Sequence, residues 1–126
     1  MTILILIKGR YKGRKDVELL FKRYTKRLRQ KMMILSRRYK FPMPNQITLR
    51  PLYVKGGFPY SYDGFAAWCP LEGYTIKMNV ETCQLKKDKG ISILDHECAH
   101  IARCICDNDF THGKDFKEMY AACKSV

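Results

Sequence analysis

Two histidines four residues apart, His96 and His100, constrain this chain more than anything else in it. With Glu97 between them they spell His-Glu-x-x-His, and the spacing has a use on a helix. There, positions i and i+4 lie one above the other on one face, so both imidazoles can hold one ion. Glu97 is one step round the helix and can reach a water on that ion. The pattern is a signature of zinc-dependent hydrolysis. A catalytic zinc takes three protein ligands and leaves a fourth position open. The chain has 3 histidines, so His112 is the expected third ligand, for one Zn2+ per chain. A glutamate from a following helix is the other common solution, and Glu118 stands ready for it. The longer metzincin spacing is not met: Arg103 stands where its glycine would be and Cys106 where its histidine would be.

The same helix has an opposite, apolar stripe of Leu94, Cys98, Ile101 and Ile105, so it anchors in a core on one side and offers the other to a metal. His112 and Gly113 open a last helix in which Phe116, Met119, Tyr120 and Cys123 repeat at helical spacing. Thr111 is its expected N-cap. A ligand at a helix start can be aimed back across the short turn from Asp107 to Phe110. Asp115 can accept the other N–H of His112, or simply favour the helix N-terminus.

His96-Glu97-Cys98-Ala99-His100, an Asn-Asp pair, then His112-Gly113-Lys114-Asp115-Phe116 resembles the SprT-like zinc metalloproteases, whose pattern is H-E-x-x-H, a variable stretch, then H-G-x-x-F. Tyr74 to Val80 is similar to the strand that family runs before its active-site helix. The resemblance covers residues 46–124. It implies a zinc-dependent peptidase and, as in characterised members, one that degrades proteins crosslinked to DNA. A related group of small hydrolases shares a similar histidine pattern.

The charge is placed unevenly. Residues 1–50 hold 15 Lys and Arg against Asp16 and Glu18, and residues 51–126 hold 9 basic against 10 acidic residues. Such a footprint suits nucleic acid or another anionic surface. The reading that competes with it is a merely solvated basic face. Ile3 to Ile7 is far shorter than the ~20 apolar residues of a membrane span, so no membrane is expected. Its positive charges follow the apolar run, which is the wrong order for a signal peptide. With neither a span nor a signal peptide, a cytoplasmic, DNA-associated monomer is expected, and without an export signal its 6 cysteines are expected as reduced thiols. Cys104-x-Cys106 does not make a second metal site on one helix, because the two side chains diverge.

The length of 126 residues fits one domain, with a basic part over residues 1–45 and a catalytic core over 46–126. Residues 2–7 read as a strand. Asp16 caps a long helix to about Tyr39, with Val17, Leu20, Phe21, Tyr24, Leu28, Met32, Leu35 and Tyr39 inward. Lys22, Arg23, Lys26, Arg29 and Arg37 lie on its other side and are the candidate nucleic-acid contacts. Strands are expected at Gln46–Lys55, Phe65–Cys69 and Tyr74–Val80, with Pro51 arguing for an edge or a bulge in the first. Gly56 to Gly64 is a loop, and Lys86 to Gly90 a polar break before the metal helix. The fold class is α+β and zincin-like: a long N-terminal helix, a small antiparallel sheet, the active-site helix and a C-terminal helix. Zinc proteases of this plan bind peptide as an added strand. The resemblance makes Tyr74–Val80 the edge that receives it.

The expected reaction is metal-assisted peptide hydrolysis with Glu97 as general base. Tyr60, Tyr62 and Tyr74 are candidates for an oxyanion donor, though packing or lining a loop explains each equally well. Tyr11 and the Tyr60–Tyr62 loop can stack bases, which would favour single strands or junctions. Two other classes stay open: a small zinc hydrolase with no nucleic-acid role, and a non-catalytic zinc-stabilised DNA-binding module. A structural site has no use for Glu97 and normally closes with a fourth ligand.

Overall fold

The computed structural model describes residues 1–53, 63–85, 87–108 and 110–124, leaving aside the side chains of 85 and 87–89. Strand β1 (Thr2–Ile5) is followed by a 3-10 turn at Gly9–Tyr11 and by helix α1 (Lys15–Tyr39). Strand β2 (Gln46–Leu52) comes next, then the hairpin of β3 (Gly64–Cys69) and β4 (Gly73–Asn79). Helices α2 (Val80–Leu85), α3 (Lys87–Asp107) and α4 (Lys114–Lys124) complete the chain. The fold is α+β, with one four-stranded sheet in the order β1-β2-β4-β3.

The sheet is mixed, and this corrects the antiparallel expectation. β1 pairs with β2 in parallel, Ile3 opposite Ile47 and Ile5 opposite Leu49. β2 pairs with β4 in parallel, Leu49 opposite Ile76. Only β3 and β4 are antiparallel, Ala66 opposite Ile76. For β1 and β2 the cause is the 25-residue α1 between them, which returns the chain to the end where it started. A helical crossover makes a parallel pair, and a tight hairpin, here turning at Gly73 with φ 69°, makes an antiparallel one.

The order also corrects the edge. β4 is interior, between β2 and β3, so Tyr74–Val80 cannot receive an added strand; among the described residues β3 is the edge on that side. Pro51 is in an interior strand, opposite Met78, but β1 pairs only with Gln46 to Leu49, so Pro51 lies past the stretch paired on its other side.

One sheet face and one side of each long helix share the core. Ile47, Leu49, Ile76 and Met78 are fully buried, against Val17, Phe21, Leu28, Met32 and Leu35 of α1 and Leu94, Cys98 and Ile101 of α3. Each such side chain contributes about 1.5–3 kcal/mol when withdrawn from water. Leu20, Tyr39 and Ile105 pack on this core partly buried. The expected stripes are therefore the observed ones.

Local boundaries shift for local reasons. Arg14, not Asp16, is the residue before the helix; Asp16 lies inside the first turn, bonded to Arg14 (2.6 Å) and Gln84 (2.8 Å). Lys40 closes α1 in the left-handed conformation, its N–H on the Ser36 carbonyl. The polar stretch expected to break the chain before the metal helix is helical from Lys87 onward, and Lys86 lies outside the described residues. Gly90 there accommodates Tyr24, since a Cβ on it would collide with the Tyr24 hydroxyl. Two buried polar residues are unexpected. Lys31 on α1 is 1% exposed and donates to the Cys123 carbonyl on α4, with Asp95 on α3 at 3.7 Å and 2% exposed.

Candidate metal centre

His96, Glu97 and His100 project from one side of α3, and His112 comes from the turn before α4. The three Nε2 atoms converge: His96 to His100 is 3.0 Å, His96 to His112 3.1 Å, and His100 to His112 2.9 Å. A nitrogen of a neutral imidazole is either a donor or an acceptor. Among three nitrogens facing one point, at least two must be alike, so hydrogen bonds cannot satisfy the cluster. A cation accepts all three lone pairs at once. A tetrahedral zinc with Zn–N of ~2.0–2.1 Å separates its ligand nitrogens by about 3.3 Å, close to the spacing here. The residues present thus fit a metal. Among the described residues, the group of possible ligands found together is His96, His100 and His112. Glu118, the alternative third ligand, is exposed on α4 and is not in that group.

Burial is graded across the cluster. His100 is 7% exposed, His96 is half-buried, and His112 is exposed. Burial first, and His112 second, lower the pKa of His96, which favours the neutral ligand form. Phe116 is the floor of the site. Its ring stacks on His100 at 4.4 Å and meets His96 and His112 edge-on at 5.0 and 4.8 Å. Tyr120 adds an edge to His96 at 5.3 Å, its hydroxyl 2.8 Å from Ser92 Oγ on α3. Periodicity marks Phe116 and Tyr120 only as core residues. The spacing of Phe116 from His112 is the one signal in the sequence of its closer role.

Glu97 is 3% exposed, and its Oε2 has no hydrogen-bond partner among the described residues. Burial pushes its carboxyl up to about 8. An orphaned carboxylate oxygen is expensive in a finished interior, and here it borders a cavity of about 230 Å³ lined also by the three histidines, Phe110 and residues Gly64 to Ala66 of β3. Gly64 makes this closeness possible: a Cβ there would stand 2.7 Å from Ile93 Cγ2 and 2.9 Å from the Lys77 carbonyl. The edge strand and the metal helix therefore form the two walls of one cleft.

Other sequence-derived assignments move. Asp115 pairs with Arg103 at 3.2 Å. α4 begins at Lys114, so Thr111 is too far ahead of it to be the N-cap. The Tyr74 hydroxyl faces Cys104 Sγ at 3.9 Å, burial lifting it to about 12, and Tyr74 does not line the cleft. Tyr60 and Tyr62 lie outside the described residues. Tyr11 is 4% exposed and has no face free for a base. Cys104 is buried and Cys106 exposed, so the pair diverges as expected. All six thiols are free. Lys22, Arg23, Lys26, Arg29 and Arg37 are exposed along α1, Arg29 donating to the Met1 carbonyl, and none lines the cleft. No described helix is long and apolar enough to cross a membrane.

The sequence profile of the SprT-like family matches residues 12–126. No curated protein and no solved structure matches the chain.

Proposed function

We propose, for a chain that belongs to the SprT-like family over nearly its whole length, that it is a zinc-dependent metallopeptidase with a zincin-like active site, acting on DNA-bound or DNA-crosslinked proteins. The observation that carries the peptidase reading is one cleft holding three convergent imidazole nitrogens and a buried glutamate oxygen with no hydrogen-bond partner among the described residues. His96, His100 and His112 would hold the metal. Zinc, when bound, supplies a Lewis acid that brings the pKa of its water towards ~7.

The chain's own residues do the rest. Glu97 is the general base: its carboxylate accepts the proton of the attacking water and later returns it to the leaving amine. Burial alone holds it protonated at neutral pH. Its charged form would be favoured by a dication held beside it, which would couple activation of the base to metal loading. Among the described residues the outer edge of β3 has no strand partner for its backbone groups, and an extended peptide added there would be carried past Glu97. Antiparallel or parallel addition satisfies the same groups, so affinity comes from the main chain and selectivity from the side-chain positions. Trp68, 52% exposed on β3, is one such position.

The DNA part rests on the basic face of α1. Lys22, Arg23, Lys26, Arg29 and Arg37 are free of the core, and clustered like charge there is not required for stability. Phosphate contacts from that face would hold the enzyme on DNA and concentrate it on attached protein. Because the face and the cleft are built by different elements, a second reading stands beside it: a small zinc hydrolase that makes no use of nucleic acid. A cytoplasmic monomer suits either.

Glu97→Gln tests the mechanism. It preserves shape and all three ligands, so zinc content and melting temperature should hold while hydrolysis of a denatured protein falls by roughly 10²–10⁴. Full activity in that variant would end the peptidase reading.

A further inference from the structure

His112 is the least enclosed member of the cluster. It is exposed, and it lies outside any helix, in the turn between Asp107 and Lys114. Asn108 leaves α3 in the left-handed conformation, φ 55°, with its N–H on the Cys104 carbonyl at 2.8 Å. From there the chain must arrive at the metal to within ~0.5 Å for a ligand to bind well. Phe116 limits the ring from below, but that contact is non-directional.

Arg103 supplies a directional one. Its NH1 side pairs with Asp107 on the last turn of α3, and its NH2 is 3.2 Å from Asp115 on the first turn of α4. The side chain is 16% exposed, so this is not an ordinary solvated pair, although both carboxylates are more than half exposed. A planar guanidinium has donors pointing two ways in fixed geometry and can hold two carboxylates at once. The residues it joins are the two ends of the turn that carries His112.

We propose that Arg103 is a positioning residue for the metal centre: its bridge from Asp107 to Asp115 sets the span of the turn and hence the place of the His112 imidazole. This rests on the zinc reading above. It also gives a use to the side chain standing where the metzincin spacing has a glycine. Here the third histidine arrives later, and the longer turn is braced by an ion bridge.

The test is zinc affinity, measured by competition with a chromophoric chelator, for the intact chain and for Arg103→Gln, Arg103→Lys and Asp115→Asn, each also in a His112→Ala background. Arg103→Gln and Asp115→Asn should each weaken zinc about 10–100-fold, the usual effect of losing a group that orients a ligand. Arg103→Lys should fall between, because one ammonium cannot span both carboxylates. In the His112→Ala background the same changes should alter affinity by less than about twofold, since the ligand they position is gone. Equal weakening in both backgrounds would mean general loosening and would overturn the proposal, as would wild-type affinity in Asp115→Asn. Asp115 is a largely exposed carboxylate, so that variant decides the matter if Arg103→Gln fails to fold. If His112→Ala alone binds zinc as tightly as the intact chain, the ligand set itself is wrong and the proposal falls with it. If His112→Ala loses zinc and the Arg103 variants do not, only the proposal falls.

Discussion

Replacing Lys31 by Met removes the positive member of a buried pair and leaves the negative one behind. Lys31 and Asp95 are 1% and 2% exposed, with Nζ and Oδ2 3.7 Å apart, and Asp95 Oδ1 has no partner among the described residues. Burial raises the Asp95 carboxyl above its ordinary range even though Lys31 and then Arg27 pull it down, so desolvation outweighs attraction at this site. The pair is therefore a poor source of net stability, yet breaking it is costly. An uncompensated buried charge costs about 3–5 kcal/mol, and the Cys123 carbonyl is also deprived of its donor, about 1 kcal/mol more. For a chain of this length each kcal/mol moves the melting temperature by ~3–5 °C, so Lys31→Met should melt lower by ~12–30 °C. Lys31→Met with Asp95→Leu removes both charges and should recover to within ~1–2 kcal/mol of the wild type, because matched apolar replacement of a buried pair is often neutral. Urea unfolding at neutral pH across the four proteins gives the coupling. Additive effects, or a Lys31→Met variant within ~1 kcal/mol of the parent, would refute the view that Asp95 depends on Lys31.

Gly64→Ala should destabilise by ~1–3 kcal/mol and lower kcat/KM, since the added Cβ meets both Ile93 and the Lys77 carbonyl and must push β3 off α3; an unchanged urea midpoint would contradict this. The Asp16 carboxyl, held down to about 2 chiefly by its bond to Arg14, should titrate there by NMR, and Arg14→Gln should return it towards ~3.9. Because its folded pKa is depressed, the stability it contributes is present above the ordinary carboxylate range and is lost as pH falls through about 2. Reversal of Lys22, Arg23, Lys26 and Arg29 to Glu should abolish DNA binding and cleavage of DNA-bound protein while a short unstructured peptide is still hydrolysed. In single reversals, the slope of log K against log salt should flatten by about 0.9 for each duplex phosphate that is no longer neutralised. DNA binding with an unaltered salt slope would favour the hydrolase reading without nucleic acid.

The three-histidine cluster was largely legible in the chain because its determinants are local. His96 and His100 meet by helical spacing, and Glu97 follows from the same turn. His112 was reachable by elimination among the histidines, and the apolar stripes of α1, α3 and α4 follow from what each helix must bury. The sheet was not legible in that way. Alternation marks Gln46 to Lys55 and Tyr74 to Val80 as strands but does not state their neighbours; α1 decided the parallel β1–β2 pairing, and the order of the sheet placed β4 inside and β3 at the edge. Lys31 reads in the sequence as one cation among many because its partners are 64 and 92 residues away. The same holds for Asp115, whose sequence position suggests His112 and whose folded position gives it to Arg103. Periodicity reports which face of an element avoids water. Which strands pair, and which charge meets which, is settled only when distant segments close on one another, and that closure is where the tertiary structure added what the residues alone did not contain.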